Sequence, residues 1–280
     1  MPAPCLRIAS AQMKFRRSVA DNVEWIIHTI RHVAQEGVKA VLFPECAVTG
    51  YNHDFAGLPG ETIRQAIVAI SVAARSARCS VLVGCPTFQG RQLRNSLLVF
   101  DAGGREVFRY SKIHLTPRDA RFFAPGNALA LFRVGGVECT AIVCHERRYP
   151  ELVRLPVMLG AQILFHPNAG LDPFAVSKAK RKCRDGIAVR AFENQVCYVF
   201  ANSVGPQGDN LWSAGDSKIV GPDSNVLALA NNRDEMVIQA ELDLSKAGRR
   251  YAQEALLQPE FLRAHWRSML AACRKRLSRG

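Results

Sequence analysis

The sequence predicts an α/β protein built on buried, mainly parallel sheet, and three observations carry the prediction. A strand, a helix and a second strand follow one another between Leu6 and Phe43. The strands are mostly short, continuous apolar runs, as expected where both faces of a sheet are covered. An α–β–β rhythm occurs in both halves of the chain. Strand, helix, strand in that order implies a right-handed crossover.

Each element has a local reason. Leu6 to Ala11 alternates weakly and reads as the first strand. Ser18, with Asp21 three residues on, is a capping signal, and Val19, Val23, Ile26, Ile30 and Val33 then make one apolar helical stripe stopped by Gly37. Ala40 to Phe43 is the second strand and ends in Pro44-Glu45. Thr49 to Asp54 and Gly57 to Gly60 are polar loops. A helix is expected from Glu61 to Arg78 and a strand from Ser80 to Gly84, ended by Cys85 and Pro86. Asn95 to Phe100 and Glu106 to Tyr110 flank Asp101-Ala-Gly-Gly104, a hairpin signal. Arg118 to Gly126 reads as a loop. Leu129 to Val134 is a strand, turned by Gly135-Gly136 into the strand that leads to Cys144. Further on come a helix opened by Pro150, a strand from Ala161 to Phe165, a helix from Phe174 to Glu193 with Gly186 inside it, and a strand from Gln195 to Ala201. Gly205 to Asn210 is a loop. Strands follow at Ser217 to Val220, Asn225 to Leu229 and Met236 to Glu241. From Asp243 the chain becomes a basic tail with one helix, Glu260 to Lys275.

Composition bounds the function. A chain of 280 residues, 48% hydrophobic and 22% charged, suits one large domain or two small ones with a sizeable core. No apolar run reaches the ~18 residues of a membrane span, and the first residues lack the pattern of a signal peptide. The nine cysteines are scattered with no C-x-x-C pair, which argues against a zinc knuckle or redox pair and for free thiols in a reducing cytoplasm. The net charge of +13, from 37 basic and 24 acidic residues, raises a nucleic-acid partner. The two basic clusters, Lys178 to Arg184 and Arg274 to Arg276 with Arg279, have no interleaved aromatics and read better as solvated faces or a tail. Attraction of an anionic substrate is the other use of such charge.

The chemistry is concentrated around Cys144. The run Ala141 to Val143 is a buried strand that ends at this cysteine, and polar residues follow at once. A cysteine at a strand-to-helix turn stands on a rigid base facing solvent, where a nucleophile is useful. N–H groups at the helix start can hold a developing negative charge. A scattered cysteine is more often a buried structural residue, so the surrounding residues matter. Glu45 and Lys112 also lie at strand ends, although a loop carboxylate and a solvated lysine are the ordinary fates of such residues. Cys46 is set aside as nucleophile because neighbours on extended backbone point to opposite faces. Gly215-Asp-Ser217 lacks the second glycine of a serine elbow. His114, His145 and His166 lack metal-site spacing, and no phosphate or dinucleotide fingerprint occurs. No metal or cofactor is implied.

Four segments together resemble the nitrilase superfamily, the carbon–nitrogen hydrolases with a cysteine nucleophile, in its amidase- and carbamoylase-like branch. They are Phe43-Pro-Glu45-Cys-Ala-Val-Thr-Gly-Tyr51; Tyr110-Ser-Lys112-Ile-His-Leu115; Ile142-Val-Cys144-His-Glu-Arg-Arg-Tyr-Pro-Glu151; and Arg190-Ala-Phe-Glu193-Asn-Gln195 with Asn202 and Ile219 to Asp223. The resemblance spans roughly residues 5 to 245. It implies a four-layer α-β-β-α sandwich, a domain over 1–243 with an extension over 244–280, and assembly into dimers or larger homo-oligomers. It also implies roles: Cys144 as nucleophile, Glu45 as proton acceptor, Lys112 and the His145 N–H as partners of the oxyanion, and a thioester intermediate that water hydrolyses.

Two departures from the family pattern stand out. The place of a second glutamate usual after the lysine segment is taken by Asp119, one methylene shorter, with Glu138 a poorer substitute. After the nucleophile, His145-Glu146 matches neither the Trp-Glu of nitrile-cleaving members nor the aspartate frequent in amide-cleaving ones. Arg147-Arg148 resembles the paired arginines that grip a substrate carboxylate in carbamoyl-amino-acid hydrolases, unless one of them pairs with Glu151. Pocket size is expected to depend on loops around Tyr51, Phe122, Asn168 and Trp212, with Tyr51 and Asn168 touching substrate. The expected substrate is a small amide or N-carbamoyl compound. A nitrile, or a non-catalytic role in anion or RNA binding, are the competing readings.

Overall fold

The computed structural model describes residues 5–51, 54–180, 186–208 and 210–277. Its first half is β1 (Cys5–Gln12), α1 (Val19–Gln35), β2 (Ala40–Leu42), α2 (Gly60–Ala77), β3 (Ser80–Gln89), β4 (Gln92–Phe100) and β5 (Glu106–Ser111). The second half runs β6 (Phe132–Val134), β7 (Val137–Ala141), α3 (Glu151–Met158), β8 (Ile163–Asn168), β9 (Leu171–Pro173), α4 (Phe174–Lys180), α5 (Gly186–Asn194), β10 (Cys197–Asn202), β11 (Val204–Pro206), β12 (Leu211–Ala214), β13 (Lys218–Val220), β14 (Val226–Leu229) and β15 (Met236–Asp243). It closes with α6 (Arg250–Ala255) and α7 (Glu260–Leu277).

Two six-stranded sheets form, in the orders β15-β1-β2-β3-β4-β5 and β14-β13-β10-β8-β7-β6. The central strands β1, β2 and β3 are parallel, as are β7, β8 and β10. Alternation along each strand divides its side chains between two cores. Leu6, Ile8, Leu42, Leu82 and Val99 of one sheet meet Cys139, Phe165 and Val199 of the other in a shared inner core. The intervening residues, such as Val41, Val81 and Leu98, pack under Ile26, Ile30, Ile63 and Ile70 of α1 and α2. On the far side Ile142, Leu164 and Tyr198 lie under Leu152 and Val153 of α3 and Ile187 and Ala191 of α5. This is the expected α-β-β-α layering. The Ser10 hydroxyl of β1 donates to the Phe200 carbonyl of β10 at 2.7 Å, joining the sheets near the strand ends where the candidate residues gather.

The Ser18 cap forms as expected, its hydroxyl accepting from the Asp21 N–H at 3.0 Å. Elsewhere the structure corrects the elements expected. β3 does not end at Cys85-Pro86 but pairs with β4 as far as Gln89 and Gln92. Beyond Leu82 it has outrun the three residues of β2, so Pro86 sits where one edge is unpaired and a missing N–H is tolerated. The strand expected from Leu129 begins only at Phe132. The Arg118 to Gly126 loop contains a 3₁₀ turn, Asp119–Arg121. The single helix expected over Phe174 to Glu193 is described as α4 and α5, and residues 181–185 between them lie outside the described residues. The loop expected from Gly205 to Asn210 begins inside β11, which takes in Gly205 and Pro206, and is followed by β12; with β9 they make a three-stranded sheet, β11-β12-β9. These strands are only three or four residues long, too short to show a periodicity.

The tail holds α6 in addition to the helix expected there, with Pro259 between α6 and α7. Ala252 and Leu270 from these two helices are buried with Leu152, Val153 and Ile187, so the extension covers the outer face of the second sheet. Arg274 and Lys275 are exposed on α7. The other basic cluster, Lys178 to Arg184, lies outside the residues whose side chains are described. No described helix is long and apolar enough to cross a membrane.

Candidate active site

Glu45, Lys112 and Cys144, read from three distant segments, come together at the C-terminal ends of β2, β5 and β7. Glu45 sits in the turn after β2. That turn presses on Gly84 of β3: a Cβ there would stand 2.2 Å from the Pro44 carbonyl oxygen and 2.7 Å from the Glu45 Cα, so only glycine admits this approach. Cys46 is not on extended backbone, as the sequence had suggested, but at φ 50° in the same turn. Its thiol is fully buried and points to the Asn95 Oδ1 at 3.6 Å, away from the cavity that Cys144 lines.

Glu45 and Lys112 are each 1% exposed, so every polar atom on them needs a partner. The Lys112 ammonium lies 2.8 Å from Glu45 Oε1 and 2.8 Å from Asp119 Oδ2. The Asn95 amide donates to Glu45 Oε1 at 2.7 Å, and the Ala169 N–H to Glu45 Oε2 at 3.1 Å. Asp119 also accepts from the Tyr51 hydroxyl, and from the N–H and hydroxyl of Thr116, both at 2.9 Å. The shorter Asp119 side chain therefore reaches the lysine, while Glu138 is on β7 paired with Arg133. Burial pulls the Lys112 ammonium down, but the charges of Glu45, Cys144 and Asp119 outweigh it and hold it well above the ordinary lysine range. Burial pushes Asp119 up. Lys112 and the hydrogen bonds from Tyr51 and Thr116 outweigh it and keep its carboxyl below the usual value.

Cys144, three residues past the end of β7, stands at φ 54°, a left-handed conformation that is uncommon without a glycine. The chain then turns through a 3₁₀ segment, Cys144–Arg148, and α3 starts only at Glu151. The helix opened by Pro150 forms as expected, but the N–H groups nearest the thiol belong to the 3₁₀ turn before it. Glu146 holds that turn. Its fully buried carboxylate accepts from the Val143 N–H at 2.7 Å, the Ile113 N–H at 2.6 Å, the His114 N–H at 3.1 Å and the Tyr110 hydroxyl at 2.9 Å. The segment after Cys144 is in this way tied to the segment that carries Lys112. Burial, then the negative charge of Glu45 beside it, push the Cys144 thiol up to about 12, with Lys112 opposing. At neutral pH this sulfur is a thiol, and a base must take its proton as it attacks.

Cys144 opens onto a cavity of about 680 Å³, while Glu45 and Lys112 lie beneath its floor. Tyr51, His145, Arg147, Arg148 and Asn168 all line it. Arg118 and Lys218 add positive charge to its wall, and Asp172 and Asp216 negative charge. Among the described residues neither Arg147 nor Arg148 forms an ion pair with Glu151, and the Arg147 carbonyl accepts from Arg190 at 3.1 Å. Phe122 and Trp212 stand one layer back, against Phe55 and Phe174. Sequence reasoning missed Asn95, Thr116 and the buried role of Glu146. Asn95 and Glu146 reach segments far along the chain, for which a sequence carries no local signal, whereas Thr116 meets Asp119 three residues on, a Thr-x-x-Asp spacing that could have marked it.

Comparisons with known proteins agree with this geometry. The family model for carbon–nitrogen hydrolases matches residues 7–251. An (R)-stereoselective amidase from a Pseudomonas species is 33% identical over 69% of this chain and 67% of its own length. A nitrilase from Pyrococcus abyssi is 29% identical over 77% and 80%, and an omega-amidase from Homo sapiens 26% identical over 86% and 89%. Among solved structures, an amidase from Nesterenkonia sp. superposes with a TM-score of 0.80 at 24% identity, covering 93% of this chain and 96% of that one. A mutant of the Nesterenkonia sp. AN1 amidase that shows covalent addition of the acetamide moiety of fluoroacetamide at the active-site cysteine has the same TM-score and identity, covering 93% and 96%. With a match over residues 7–251 of 280, the chain belongs to the carbon–nitrogen hydrolase family.

Proposed function

We propose that this protein hydrolyses a small amide or N-carbamoyl substrate through a thioester on Cys144. The observation that carries the reading is the buried Glu45–Lys112–Asp119 cluster beneath Cys144, whose thiol alone among the described residues lines the cavity. Glu45 accepts the Cys144 proton as sulfur attacks the carbonyl carbon, and the oxyanion forms beside Lys112 and the His145 N–H. Glu45 returns the proton to the departing ammonia or amine. Water, deprotonated by Glu45, then cleaves the thioester to the acid and restores the thiol. Asp119 keeps Lys112 charged and in place. The covalent addition at the cysteine of the Nesterenkonia amidase mutant and the amidases among the relatives support this direction.

Arg147 and Arg148, with Arg118, favour a substrate bearing a carboxylate, for which a guanidinium fork is suited. Tyr51 and Asn168 shape the remaining wall. The test is a panel of amides, carbamoyl amino acids and nitriles, with ammonia release measured and adducts sought by mass spectrometry. Ammonia from amides or carbamoyl compounds, an adduct at Cys144 and none in Cys144→Ala are expected. Turnover confined to nitriles would overturn the substrate class, and full activity in Cys144→Ala the mechanism.

The scattered free cysteines fit a reducing cytoplasm. Self-association is supported by exposed apolar side chains such as Phe192, Leu257 and Phe261 on the helical side of the second sheet. Sedimentation of the full chain beside one ending at Asp243 tests this, a smaller assembly for the shortened chain being expected.

A further inference from the structure

His166 is not among the groups that accept or donate a proton above, yet it touches the nucleophile's backbone. It lies on β8, fully buried, with one ring nitrogen on each of two partners. Nε2 is 2.9 Å from the Cys144 carbonyl oxygen, and Nδ1 is 2.9 Å from the Tyr198 hydroxyl. A carbonyl oxygen only accepts, so Nε2 must carry hydrogen. Nδ1 of the neutral ring then has a lone pair, and Tyr198 donates to it. Burial, with the Arg147 charge nearby, pushes the ring's pKa down to about 3, so it is neutral at working pH and this one tautomer fills both contacts. Tyr198 is itself fully buried under α3 and α5.

The carbonyl that His166 holds belongs to the Cys144–His145 peptide. In a trans peptide the C=O and N–H lie in one plane and point in opposite directions. Fixing the oxygen on one edge therefore fixes the His145 N–H on the other. That N–H has no hydrogen-bond partner among the described residues, and His145 lines the cavity beside Cys144. The peptide also follows a residue held at φ 54°, a backbone state that needs outside support to persist.

We infer that His166, oriented by Tyr198, is a positioning residue that aims the His145 N–H at the oxyanion by anchoring the Cys144 carbonyl. This inference rests on the reaction proposed above. It separates two properties of Cys144: attack on a carbonyl, which needs the aimed N–H, and displacement of iodide from iodoacetamide, which builds no oxyanion.

The experiment uses the full chain with His166→Phe, His166→Gln and Tyr198→Phe. It measures kcat and KM on the best amide of the panel and the rate of Cys144 alkylation by iodoacetamide. Phenylalanine keeps the ring volume and removes the donor; kcat is expected to fall about 100-fold, the scale of one oxyanion donor, with KM and alkylation each within about threefold of wild type. Glutamine restores an N–H donor and should recover at least about tenfold of that loss. Tyr198→Phe frees the tautomer and should lower kcat by about three- to tenfold. Alkylation and hydrolysis falling in step, or His166→Phe hydrolysing at the wild-type rate, would show that the histidine only packs. If His166→Phe does not fold, wild-type kcat in Tyr198→Phe together with an inactive but folded His166→Gln overturns the inference, and the graded losses uphold it. Wild-type protein that iodoacetamide leaves unlabelled at Cys144, or undiminished hydrolysis in Cys144→Ala, would instead defeat the underlying reaction.

Discussion

At the scale of single residues, the sign of each electrostatic effect on Cys144 makes Glu45 testable apart from Lys112. Burial raises the thiol most, Glu45 raises it further, and Lys112 lowers it. Glu45→Gln keeps one amide oxygen for Lys112, leaves its N–H₂ facing the Ala169 N–H, and removes both the charge and the proton acceptor. Two results should move in opposite directions. Hydrolysis should fall by about 10²–10⁴, the contribution of a general base, while the midpoint of thiolate formation, followed by ultraviolet absorbance against pH, should shift below its wild-type position of about 12. A midpoint that stays or rises would mean that Glu45 does not face the sulfur. Asp119→Asn tests the neighbouring contact: with one of its two anions gone, Lys112 should titrate at lower pH than in wild type, and activity should be lost from the alkaline side first.

At the scale of elements, the site depends on how closely three strand ends approach. The Glu45 turn rests on Gly84, where a Cβ would collide with backbone at Pro44, Glu45 and Cys46. Gly84→Ala should therefore destabilise by about 1–3 kcal/mol, as overpacking does, with activity lost beyond what the unfolded fraction explains. Gly57→Ala, where the added carbon meets nothing within 4 Å, is the control expected to change neither. Glu146 does for Cys144 what Gly84 does for Glu45. Glu146→Gln turns an acceptor of four donors into a group that places an N–H₂ among them, at a cost of about 2–4 kcal/mol by chemical denaturation. The sequence made some of this legible. Cys144 stood at the end of an apolar strand followed by polar residues, Glu45 followed Phe43-Pro44 in the same way, and Lys112 followed the second strand of a hairpin signal. Strand ends are visible because hydrophobicity stops there. Gly84 and Glu146 were not legible in these roles, since nothing local distinguishes a glycine under a distant turn, or a glutamate capping a remote backbone, from others of their kind.

At the scale of the whole molecule, what the sequence showed and hid divides along contact distance. Most strands and helices followed from periodicity, and their arrangement as two facing sheets under outer helices from the family resemblance. The small sheet of β9, β11 and β12 did not, nor did α6 or the reach of β3 past Pro86, because those are settled by what lies alongside. His166 belongs to the hidden class, and its burial affects the stability of the entire chain. In the unfolded state its ring takes a proton near the ordinary 6.5; in the folded state burial and Arg147 depress that to about 3. Between these values the unfolded chain binds more protons, so acid favours unfolding. The stabilisation is fully present above pH 6.5 and is lost as pH falls toward 3. From pH 6.5 to 4.5 the loss from this residue should be about 2 kcal/mol, the slope reaching about 1.4 kcal/mol per pH unit only below the unfolded pKa. Other groups titrate in the same window, so the informative quantity is a difference between proteins. Urea denaturation at pH 6.5, 5.5 and 4.5 should show wild-type stability falling more steeply than that of His166→Gln, by close to one proton per molecule. Parallel slopes would mean that the buried ring takes up its proton without unfolding, and that the contact between Nδ1 and Tyr198 can be reversed within the native structure.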